Sequence, residues 1–197
     1  MPHEEIYREL SECLETREFV AYHKWGDDPG IFLVGTVQEL SSTSVLFWDV
    51  DSNGRYQDLP HSVPLRLIHS LDRRTLYLWR LRTLYDLGPS ELEEEKDVRR
   101  PAEVRTLLEE AVREALVVSI WTSVDEVNDY LVSSVGEEAA VLESVTDGGP
   151  VDGRTIMRLK RIVRVRVGRA ERDDARVHRH WKQHGFPASR GDILPRL

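Results

Sequence analysis

The chain has 197 residues, 40% hydrophobic and 31% charged, with a formal net charge of −8. That composition excludes wholesale disorder, and no apolar run reaches the ~18 residues of a membrane span. The acidic start Met1-Pro2-His3-Glu4-Glu5 lacks the pattern of a secretory signal, and the single Cys13 excludes an internal disulfide or a thiolate metal site. The expectation is a cytoplasmic protein without cofactor, metal or membrane partner.

In chain order, residues 3–16 form a helix, because Ile6, Leu10, Cys13 and Leu14 recur at helical spacing. Residues 19–25 form a strand ending in the turn Gly26-Asp27-Asp28-Pro29-Gly30, and residues 31–40 and 45–50 form two more. Asn53-Gly54 predicts a type I′ hairpin, since both residues tolerate positive φ. Pro64 should open a last strand over 65–71. Asp72 then caps a helix carrying Tyr77, Leu81, Leu84 and Tyr85, stopped by Gly88-Pro89. Ser90 and Glu93 make a capping-box pattern at the head of a charged segment, and Pro101 starts another helix.

From there the pattern repeats. Ile6, Leu10, Cys13, Leu14 and Phe19 match Val104, Leu108, Ala111, Val112 and Val117 at an offset of 98, and the run from Phe32 to Val37 matches Tyr130 to Val135 at the same offset. Further on, Asn53-Gly54, Asp58, Leu65 and Ile68 match Asp147-Gly148, Asp152, Leu159 and Ile162 at 94, as a shorter hairpin in the second copy would produce. The division is a first unit over 1–88, a charged linker over 89–100 and a second unit over 101–197. Trp121, Val163, Val165 and Val167 are expected in the second core, with Val177 and Trp181 on the buried stripe of the last helix.

A leading helix followed by short strands and a hairpin resembles the Sm-like family, whose SH3-like barrels have five strands. The family's strand glycine falls on Gly35 and its apolar positions on Val37, Leu40, Leu46 and Trp48. The resemblance implies an α+β, mainly β, chain. It would hold two tandem small antiparallel β-barrels (Sm-like/SH3-like), each with an N-terminal and a C-terminal helix. The Asp and Asn that help form the base pocket in RNA-binding members fall on Ser41 and Val45, Ser133 replaces the glycine in the second copy, and neither last strand has the family's Arg-Gly pair.

Charge is unevenly placed: from Val151 onward there are 13 Lys and Arg against 5 Asp and Glu. On a strand over 157–167, Arg158, Lys160, Arg164 and Arg166 would share one face, interrupted by Ile162, and Arg176, Arg179 and Lys182 would continue the charge onto the last helix. Such a line could follow a phosphate backbone, or dock on the acidic remainder of the chain. Asp49, Asp51, Asn53 and Gly54 copy half of a calcium loop, but Pro60 stands where its closing Glu belongs, so a hairpin turn accounts for them. His178, His180 and His184 are expected to be exposed on a basic helix. No nucleophile–base pair or spaced carboxylate pair emerges, so no catalytic residues are assigned. The leading expectation is a non-catalytic interaction protein that binds a protein partner or another copy through strand edges. Nucleic-acid binding by the second unit is the alternative, and an enzyme with an unrecognised site the third.

Overall fold

The first helix, α1 (Glu4–Thr16), buries Leu10 and Cys13 and ends where Arg17 turns into the left-handed region, with a φ of 55°. Its apolar stripe lies on one face of a sheet formed by β1 (Val20–Lys24), β2 (Leu33–Leu40), β3 (Ser44–Asp49), β4 (His61–Pro64) and β5 (Ile68–Arg73). Adjacent residues of β1 point to opposite sides. Val20 and Tyr22 join Leu10, Cys13, Val37, Phe47 and Ile68 on the α1 side, while Phe19 and Ala21 join Val34, Leu78 and Leu81 on the other. Leu78 and Leu81 belong to α2 (Leu76–Leu87), so each face of this sheet is covered by one helix. The computed structural model describes residues 4–28, 31–89, 94–124, 126–145 and 151–185. They fall into two compact units that divide between Leu87 and Gly88.

The second unit repeats the order. It has α3 (Pro101–Glu114), β7 (Val117–Trp121), β8 (Val127–Val135), β9 (Ala139–Val145), β10 (Val151–Arg158), β11 (Arg164–Val167) and α4 (Arg169–His184). The first sheet runs β4-β3-β2-β1-β5, and the second runs β10-β9-β8-β7-β11 with one further strand, β6 (Lys96–Val98), outside β11. The residues read as a linker therefore supply an edge strand. Neither sheet closes, so the expected barrels are replaced by two open antiparallel sheets. The chain leaves β4 through Pro64, which has no N–H to donate, into a 3-10 turn at Leu65–Leu67, and β4 and β5 remain opposite edges.

The strand register also corrects the alignment of the two copies. Irregularities follow Val37 in β2 and Val132 in β8, so Val37 answers Val132, an offset of 95. Gly35, which pairs with Val20, then answers Tyr130, which pairs with Val118. The shortening lies mostly between the first two strands of each unit, where eight residues (25–32) become five (122–126). The later hairpin is shorter by one residue only, since Ser44 pairs with Pro64 and Ala139 with Arg158.

Local chemistry explains the other departures. Asn53 keeps a negative φ. The Asp51 carboxylate instead accepts the N–H groups of Asn53 and Arg55, and only Gly54 turns left-handed, at 74°. A Cβ on Gly54 would sit 2.4 Å from the Leu81 carbonyl oxygen, so α2 packs directly on this turn. Thr75, not Asp72, caps α2, its hydroxyl accepting the Leu78 N–H at 3.2 Å. Asn53-Gly54's sequence counterpart Asp147-Gly148 and the capping-box pattern at 90–93 lie outside the described residues. Among the described residues no helix is long and apolar enough to cross a membrane.

Candidate functional site

The expected basic strand does not exist as one element. Arg158 ends β10, Lys160 lies in a 3-10 turn at Leu159–Arg161, and Arg164 and Arg166 belong to β11, near the other edge of the sheet. The turn changes the strand parity. Ile162, expected among the cations, is buried at 8% exposure, and Val163, expected in the core, is 46% exposed. Val165, Val167, Val177 and Trp181 are buried as expected, whereas Trp121 is half-buried beneath the Arg164 guanidinium, 4.3 Å from its ring centre.

Several of the cations serve the unit's own structure. Arg164 donates to both carboxylate oxygens of Asp97 in β6, at 2.8 Å through Nε. Arg166 donates twice to Glu171 Oε1, at 3.0 and 2.7 Å. Burial pushes the Glu171 carboxyl up, but hydrogen bonds from Ser119, backbone N–H groups and Arg166 outweigh it and hold the group below its usual range. Arg176 donates to Asp173 and to the Gly88 carbonyl, and Arg179 to the Glu114 carbonyl. Arg158, Lys160 and Lys182 are exposed and have no partner among the described residues. The rings of His180 and His184 stack 4.4 Å apart.

The first unit differs most at β5. In the second unit, β11 is paired on both sides, with Val165, Arg166 and Val167 opposite Val98, Asp97 and Lys96. Val98 packs on the core and Lys96 is bonded to Glu110 of α3. Carried across at the offset of 94, those β11 positions are Leu71, Asp72 and Arg73. Among the described residues these pair with β1 alone. Arg73 turns back to Glu9, Glu12 and Glu18, so the acid on α1 that corresponds to Glu110 is met from within the unit. Asp72 faces the other way, its side chain 54% exposed and bonded to His23 Nε2 at 3.0 Å.

An aromatic surface extends from the start of this strand. The His69 ring lies 4.9 Å from Trp25, which is 68% exposed, and 5.6 Å from His23. Phe32 packs against His23 at 5.7 Å and against Tyr77 at 5.6 Å. His23 comes from β1, His69 from β5, Trp25 and Phe32 from the connection between β1 and β2, and Tyr77 from α2, so no continuous stretch of sequence announced them.

A second group missed by sequence reading joins β1, β3 and β4. The Tyr22 hydroxyl donates to Asp49 Oδ1 at 2.9 Å and lies 3.0 Å from His61 Nε2. Burial pushes the Asp49 carboxyl up, against lowering by the Tyr22 hydroxyl, His61 and Lys24, and burial beside Asp49 raises the Tyr22 phenol. Gly35 makes room for it: a Cβ there would stand 2.8 Å from the Trp48 carbonyl oxygen and 2.9 Å from Asp49 Oδ1. The strand glycine taken as a family position thus accommodates a buried carboxylate. With Tyr22 stacked on Phe47 at 4.0 Å, the group is an interior hydrogen-bond network that ties three strands.

No family model, curated protein or solved structure matches this chain.

Proposed function

We propose that the chain is a non-catalytic interaction module of the cytoplasm that receives an extended segment of a partner protein along β5. What carries this reading is one contrast: the corresponding edge of the second unit already holds a strand, and among the described residues β5 has a neighbour on one side only. An unpaired edge offers main-chain donors and acceptors to an added strand, and neighbouring side chains select it. The other edges are less receptive. β4 has four residues and ends in proline, β6 has three, and β10 carries exposed Arg154 and Arg158.

The second unit also supplies a template for the occupant. Asp97 of β6 lies opposite Arg166 and bonds Arg164, an acid received by cations. On β5 the sign is inverted, with exposed Asp72 at the position of Arg166. The partner segment therefore carries a basic residue opposite Asp72. The next residue, opposite Leu71, is apolar, as Val98 is in the template. Nucleic-acid binding has less support, because Arg164 and Arg166 are engaged by Asp97 and Glu171.

The test uses two synthetic strand-forming peptides that differ only in a central Lys or Glu. Amide chemical shifts and fluorescence anisotropy of the full chain are measured with each. The Lys peptide is expected to bind about tenfold tighter, to shift the amides of Leu71, Asp72 and Arg73, and to lose its advantage in Asp72→Arg. Absence of shifts along β5 with either peptide, or unchanged preference in Asp72→Arg, overturns the reading.

A further inference from the structure

The first unit contains a cavity of about 230 Å³ between the end of β5, the start of β1 and α2. Phe19, Leu78 and the Trp79 ring form its apolar wall, and Arg74, Arg82 and Glu18 its polar rim. We propose that this cavity binds a small aromatic carboxylate. The site is separate from the β5 edge, and the argument does not depend on strand addition.

The apolar wall and the arginines line the same cavity, so one ligand can use both through a ring and an anionic group. Arg74 adopts a φ of 56°, a conformation that glycine takes without strain and a side chain does not. Both guanidinium groups are steadied through Nε, Arg74 by Glu18 Oε2 at 3.5 Å and Arg82 by Asp86 Oδ2 at 3.1 Å. Their terminal nitrogens have no hydrogen-bond partner among the described residues, and the Arg82 guanidinium lies 5.5 Å from the centre of the Tyr85 ring.

Glu18 does not oppose an anion strongly, because its other oxygen accepts Arg73 Nε at 2.6 Å. The rim therefore presents terminal guanidinium donors, the geometry that binds a carboxylate through paired hydrogen bonds. The volume is below the roughly 300–1,000 Å³ of a drug-sized site and accommodates about one ring with its acid group. The ring lies against Phe19, Leu78 and Trp79, and the carboxylate takes the arginines.

Isothermal titration of the full chain with phenylacetate, phenylacetamide and acetate tests the assignment. Phenylacetate is expected to bind saturably, with the amide and the ringless acid each at least about tenfold weaker. Arg82→Gln should weaken phenylacetate while the fold is retained. Arg74→Gly relieves the backbone, so it should raise the melting temperature and still lose affinity, a combination that a purely structural arginine does not give. No saturation by about 10 mM phenylacetate, or unchanged affinity in both Arg74→Gly and Arg82→Gln, overturns the proposal.

Discussion

The two units share an order of elements and differ in how they close their surfaces. The second satisfies itself: β6 covers the β11 edge, Asp97 and Glu171 hold the arginines of that strand, and Ser119 donates to Glu171 beneath α4 at 2.6 Å. The first unit buries apolar Phe19, Ala21, Val34, Leu78 and Leu81 under α2 instead, and among the described residues leaves a strand edge and an aromatic surface. The same backbone plan can thus end in a covered edge or an uncovered one, depending on a three-residue strand and a few charges. A duplicated unit frees one copy to hold shape while the other keeps exposed groups.

The strongest way to break the contrast is to exchange the residues at one corresponding pair. Gly35→Tyr puts the second unit's residue where β2 backs onto Asp49, and about 3 kcal/mol or more of the first unit's stability should be lost. Hydrogen exchange resolved by unit would show opening confined to the first, and an unperturbed first unit would refute the close-approach argument. Next in size is Val98→Asp, which places a charge against the second core and should cost about 2 kcal/mol. That variant should also release β6 and expose β11. A strand peptide with a central Glu would then bind opposite Arg166, and failure to bind would show that a free edge alone is insufficient.

Acid should separate the units further. Glu171 titrates below its ordinary value of 4.5 in the folded chain, so its contribution is present above pH 4.5 and is lost as pH falls through the folded value. Denaturant midpoints of the second unit should fall in acid, and Glu171→Gln should flatten that dependence. Asp49 works in the opposite sense. Its folded value is raised above 3.8, so stability falls as pH rises from 3.8 through the folded value. Asp49→Asn keeps an oxygen for the Tyr22 hydroxyl. It should change stability at neutral pH by no more than about 1 kcal/mol, the smallest effect, while abolishing that slope.

Helices and most strands were legible because apolar spacing records which side faces a core. The α1 stripe of Ile6, Leu10, Cys13 and Leu14 and the strands around Val20, Val37 and Val45 follow directly from it. Register was harder. A strand pattern repeats every two residues, so similar runs can be matched out of step, and only the irregularities after Val37 and Val132 fix the correspondence. The 3-10 turns at Leu65–Leu67 and Leu159–Arg161 leave no periodic trace, which is why Ile162 and Val163 exchanged places and the cations lost their common face. Barrel closure was overstated for a related reason: local pattern identifies strands but does not say whether β4 and β5 meet. β6 was too short to register as a strand. The open β5 edge and the Trp79 cavity are relations among distant segments, which the sequence carries without displaying.

Cys13 gives the first unit an internal clock. It is the chain's only cysteine, it is fully enclosed beneath α1, and burial pushes its thiol up to about 12. A thiol-alkylating reagent therefore reacts at neutral pH only when that helix lifts away, and the labelling rate follows the opening of one half of the molecule alone. An occupant that stabilises the first unit slows that rate whatever its chemistry, and the unlabelled protein itself becomes the assay.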